Sequence, residues 1–137
     1  MSIQIKGVAE LIAKLGKLAA IEVLRPPMQR AVYRLQAAMQ DYPPAPSGSR
    51  YIRGYGFPNR PTSEKLGQRW TTKIETSSNG LTGKVGNNAS YGPWVQSSRF
   101  QTRFHKRTGW TTDERAVKDN ERAIVADFEQ AIQRALR

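Results

Sequence analysis

The densest chemistry in this chain lies in residues 91–110, YGPWVQSSRFQTRFHKRTGW. There Tyr91, Trp94, Phe100, Phe104 and Trp110 stand among Arg99, Arg103, Lys106 and Arg107. No acidic residue interrupts the segment, and it holds the chain's one histidine, His105. Rings give large contact area at low entropic cost, and guanidinium groups stack on them or grip carboxylates and phosphates with paired hydrogen bonds. The segment therefore reads as a surface built to meet a partner. The competing reading is that the rings finish a small core while the cations keep their heads in water. Arg50, Arg53 and Tyr55, from the loop at residues 43–62, join the candidate interface.

Catalysis finds less support. His105 lies between Arg103, Lys106 and Arg107, which disfavour its protonation, and no Asp or Glu lies nearby in sequence to orient it. Asp41, Glu64 and Glu75 are the acids nearest the loops, and they form no recognisable pair. Metal-ligand spacing, GxGxxG and GxxxxGK[ST] are all absent. The expectation is a protein that is not an enzyme, with no catalytic residues, no metal and no cofactor.

The formal charge is +11, from 22 Lys and Arg against 11 Asp and Glu. Residues 43–112 hold eleven of the basic groups but only two of the acidic ones, together with nine of the twelve aromatic side chains. A field of that sign draws nucleic acid, anionic membrane or an acidic protein surface. The absence of cysteine removes disulfides and thiolate metal sites and is compatible with a reducing compartment. The N-terminus lacks a cationic start leading into an apolar run, and no window approaches a membrane span, so neither secretion by signal peptide nor a membrane partner is expected.

These residues must be carried by a chain long enough for one domain, residues 1–137. Alternation at residues 2–6 predicts a short strand. From Gly7 the period becomes helical through Val8, Leu11, Ile12, Leu15, Leu18 and Ala19. Pro26 and Pro27 are expected to stop that helix and open a second, whose stripe of Met28, Val32, Leu35 and Met39 reaches towards Tyr42. Residues 43–62, with five prolines and three glycines, read as a long functional or mobile loop, and residues 63–70 as a helical turn or strand lead-in. Residues 71–77 and 81–87 alternate about Asn79-Gly80, a hairpin signal that puts Thr72, Ile74 and Thr76 on one face opposite Leu81, Gly83 and Val85. Thr111 and Glu114 have capping-box spacing for a C-terminal helix at 113–136, with Val117, Ile124, Phe128, Ala131, Ile132 and either Ala135 or Leu136 inward. The fold class expected is α+β, a small antiparallel sheet with a hairpin packed against two to three helices and a long central loop.

This order of pieces resembles the neck and tail-completion proteins of long-tailed double-stranded DNA bacteriophages. IQIKGVAELIAKLGKL is similar to that family's opening strand and Gly-led helix, and TSEKLGQRW to its middle segment. TTKIETSSNGLTGKVGNNASYGPWVQ is similar to its hairpin and the Tyr-rich segment after it, and HKRTGW to a His to Gly-Trp ending. Ser63 and Glu64 replace a usual Gly neighbourhood, Gln96 stands where an acid is common, and the 43–62 loop is long. The resemblance implies a structural virion protein, made in the host bacterial cytoplasm. It implies homo-oligomers, often hexameric rings, that join neck and connector proteins to the tail tube at the head–tail interface. A closed ring needs two different complementary patches on each subunit. The net-positive middle region would meet acidic surface on a neighbouring subunit or connector protein, with Tyr91, Trp94 and Trp110 as anchors. The alternative is a basic module that binds nucleic acid without reading sequence. It has no zinc finger, no aromatic pair on adjacent strands and no basic major-groove helix, yet its charge is compatible with a passing contact with double-stranded DNA.

Overall fold

The computed structural model describes residues 1–5, 8–57, 65–77 and 80–137. Gly7, Asn79 and residues 58–64, on which parts of the expected helix start, hairpin turn, loop and lead-in fall, lie outside them. The elements run β1 (Ser2–Gln4), α1 (Ala9–Leu15), α2 (Lys17–Met39), a 3-10 turn (Leu66–Gln68), β2 (Trp70–Ser77), β3 (Gly80–Asn87), α3 (Gly92–Gln96), α4 (Arg103–Arg107) and α5 (Asp113–Ala135). The protein is α+β: three antiparallel strands in the order β1-β3-β2, with helices packed on the sheet.

The hairpin register opposes Thr72 to Val85, Ile74 to Gly83 and Thr76 to Leu81, the facing sets expected from alternation. The inward face of β3 is Leu81, Gly83 and Val85, all buried. Gly83 is small for a reason: a Cβ there would stand 2.5 Å from Met28 Sδ and 2.7 Å from Val32 Cγ1, so α2 lies directly on the central strand. Leu24, Met28, Val32 and Leu35 of α2, Leu11 of α1 and Ile124 and Phe128 of α5 complete this core.

Three local expectations are corrected. The helix break falls at Gly16, not at the prolines; Pro26 and Pro27 lie inside α2. Gly16 adopts φ 81°, open to glycine and strained for other residues, and its N–H closes α1 on Ile12 while its carbonyl starts α2 at Ala20. The restart changes the helical phase, so Leu18 is thrown outward and is 82% exposed, and Ala19 is exposed with it. Proline removes the N–H owed to the carbonyl four residues back; here burial of Pro27 in the core offsets part of that loss. The α5 cap is Thr112, not Thr111: its side chain accepts the Arg115 N–H. Val117 is exposed, because Ala116 takes the inward position in that turn.

Candidate aromatic and basic interface

The segment after β3 folds as two single-turn helices joined by polar ties. Thr102 caps α4 by accepting the His105 N–H, and its own N–H reaches the Trp94 carbonyl at 2.9 Å, tying α4 to α3. The Gln101 amide spends both hydrogens on main chain, one on Val95 O at 2.8 Å and one on Trp110 O at 2.9 Å. Gln96, at a position where the resembled family often has an acid, is buried and donates to Met39 O at 2.8 Å, fastening α3 to the end of α2. Asp113 accepts N–H bonds from Ser98 and Glu114. Burial works to raise its pKa, but these bonds outweigh it and hold the carboxyl below the usual range.

Beneath this cap lies a second apolar cluster, Leu66, Ala89, Val95 and Trp110, with Tyr42 and Tyr91 against it. Trp110, expected as a surface anchor, is only 7% exposed and belongs to this interior, its ring 5.2 Å from that of Tyr42. Tyr91 is half-buried, and its hydroxyl accepts the Leu66 N–H at 2.9 Å. Burial pushes the Tyr42 phenol above its ordinary pKa, even though it accepts the Trp70 indole N–H at 2.8 Å. The described part of the long loop closes over this cluster. Ile52 bridges to Gly56, Gly54 presses on the Tyr42 ring, and the Arg53 guanidinium lies 5.7 Å from the Tyr51 ring centre and 5.8 Å from that of Trp110. Tyr55 is exposed, with its hydroxyl 3.5 Å from Gly67 O, and Arg50 is exposed.

The structure thus brings Tyr91, Trp94 and Trp110 together with Arg53. Tyr91, Trp94 and Trp110 line a cavity of about 210 Å³ whose remaining wall is Tyr51, Gly54, Leu66, Val95 and His105. On the outside, Trp94 is 53% exposed and packs edge-on against Phe100 at 5.9 Å, with the Arg99 guanidinium 5.2 Å from the Phe100 ring. Phe104, Arg103, Lys106 and Arg107 are exposed on α4. Among the described residues none of Arg50, Arg53, Arg99, Arg103, Lys106 and Arg107 meets a carboxylate in an ion pair.

His105 Nδ1 lies 2.7 Å from Thr102 Oγ1, and its ring stands edge-on to Trp110 at 5.8 Å. Burial first and the Arg53 charge second hold the imidazole below its ordinary pKa, while a hydrogen bond with the Trp94 backbone pulls the other way. The expected direction stands, but the responsible cation is Arg53 rather than the α4 neighbours. Among the described residues no cluster of three His, Cys, Asp or Glu could hold a metal, and no helix is long and apolar enough to cross a membrane. No family model, curated protein or solved structure matches the chain. Sequence reasoning missed Gln96, Gln101 and Thr102 as the braces of this surface. Short polar side chains in an irregular segment carry no periodic signal, although Thr102 three residues before His105 has cap spacing.

Proposed function

We propose that this chain is a structural virion protein of a tailed bacteriophage. In this reading it is a non-catalytic subunit of an oligomeric, hexameric ring at the head–tail interface that joins connector to tail tube. The observation that carries a binding role is the exposed Trp94, Phe100 and Phe104 set among Arg99, Arg103 and Lys106, cations without a carboxylate partner among the described residues. Uncovered rings beside unneutralised guanidinium groups suit an interface, where aromatic and Arg side chains supply most of the affinity. The phage assignment itself rests on the resemblance in element order and motifs. Of the three rings expected as anchors, Trp94 is the one free to serve directly, since Trp110 and Tyr91 hold the cap together.

The same combination of rings and cations also grips nucleic-acid strands, which keeps a basic binding module as the second reading. Light scattering at moderate and high salt, with and without duplex DNA, separates the two. A discrete multiple of 15.4 kDa without DNA supports the ring. A monomer that shifts only with DNA, and reverts in high salt, supports the second reading.

A further inference from the structure

The charges left over after internal pairing are sorted in space. Asp127 is claimed by Arg30 and Arg34, Glu75 by Lys73 and Lys84, Glu10 by Lys14, Glu22 by Arg25 and Asp119 by Arg115. Asp113 is spent on the Ser98 and Glu114 amides. The carboxylates that remain unpaired among the described residues are Asp41 and three on α5: Glu114, Glu121 and Glu129. Intervals of seven and eight residues carry those three along one outward stripe of the helix. Val125 and Lys118 lie on that stripe, with Arg122 and Val117 at its two edges, all exposed. The unpaired cations of the cap, Arg103, Lys106 and Arg107, run along α4 at spacings of three and four. Thus one patch is rings and cations, the other three carboxylates and small apolar groups around the single cation Lys118. At 1.5 Å per residue, Glu129 stands about 24 Å along α5 from Asp113, where the helix meets the cap. Glu121 and Glu129 therefore lie away from the cap while Glu114 adjoins it, and among the described residues the charges of the two patches form no ion pair.

We infer that the basic aromatic cap docks on the outer stripe of α5 of a second copy of this chain, with Arg103, Lys106 and Arg107 facing Glu114, Glu121 and Glu129 and with Trp94 and Phe100 against Val117 and Val125. The inference rests on the ring reading and deepens it. Such a contact is heterologous, each copy giving its cap to one neighbour and its α5 to the other, and repeated around an axis it closes a ring.

The test is a paired charge reversal, read by light scattering over a range of concentration, with circular dichroism checking the fold. One variant carries Arg103→Glu, Lys106→Glu and Arg107→Glu; the other carries Glu114→Lys, Glu121→Lys and Glu129→Lys. Each alone is expected to self-associate about a hundredfold more weakly than the natural chain, because like charges then face each other across the contact. An equimolar mixture is expected to recover assembly, since every acidic cap then meets a basic α5 and every basic cap an acidic one. If either variant associates like the natural chain, or the mixture fails to recover, this contact is overturned while the ring reading stands. A natural chain that stays monomeric at every concentration overturns both. Binding of duplex DNA by that monomer, abolished by the cap reversal, would assign the cap to phosphate instead.

Discussion

The sheet with α1, α2 and α5, and the cap from residue 91 to residue 112, are built by opposite rules. In the first region each exposed acid of the sheet and of α2 is matched by cations, and apolar side chains from several elements interdigitate. In the cap, Val95 and Trp110 pack with Leu66 and Ala89 from outside it in a cluster of only four buried apolar side chains, under a crust of rings. The difference predicts separable unfolding. Trp110→Ala should cost about 3–5 kcal/mol, the usual range for removing a buried Trp. Hydrogen exchange should show the loss first at amides tied to the cap, such as Leu66, Thr102 and Trp110, while those of α2 and β3 keep their protection. Equal loss everywhere would mean that the two regions open as one.

A smaller effect probes the other side. Gly83→Ala places a methyl group against Met28 and Val32, and overpacking of this kind costs about 1–3 kcal/mol. Gly86→Ala on the same strand meets only Thr71 Oγ1 at 3.7 Å and should change the denaturation midpoint little. If the two substitutions behave alike, the close approach of α2 to β3 is not what demands glycine.

The regular region was the legible one. Alternation in residues 71–87 and the stripe of Met28, Val32, Leu35 and Met39 are periodic, and the hairpin faces and the α2 core came directly from them. What period alone could not place was the break at Gly16. Prolines are the stronger helix breakers in isolation, yet the left-handed turn at Gly16 and the burial of Pro27 reversed the order. In the candidate site, the residue types were legible but not their depth. Trp94 and Trp110 look equivalent in sequence, and only the ties from Gln101 and Thr102, together with the loop folding over Tyr42, turn one outward and the other in.

Acid should loosen the cap before it touches the sheet. His105 has its pKa lowered in the fold, so its neutral form is favoured there. The stability this contributes is fully present above the unfolded value near 6.5 and is lost as pH falls towards the lower folded value. The expected outcome is a modest drop in cap protection between pH 7.5 and about pH 5.5, absent in His105→Gln. A drop of equal size in that variant would assign the effect to other groups.

The smallest change in stability should accompany the largest change in association. Replacing Arg103, Lys106 and Arg107 together by Gln removes three exposed cations that form no ion pair among the described residues, so stability should change by no more than about 0.5 kcal/mol. Asp127→Asn in the paired region strands Arg30 and Arg34 and should lower stability by up to about 1 kcal/mol. Self-association should respond in the reverse order, lost in the triple variant and kept in Asp127→Asn. If the triple variant proves the less stable of the two, its cations hold the cap together from within, and the contrast between an internally paired sheet and α2 and a partner-directed cap fails.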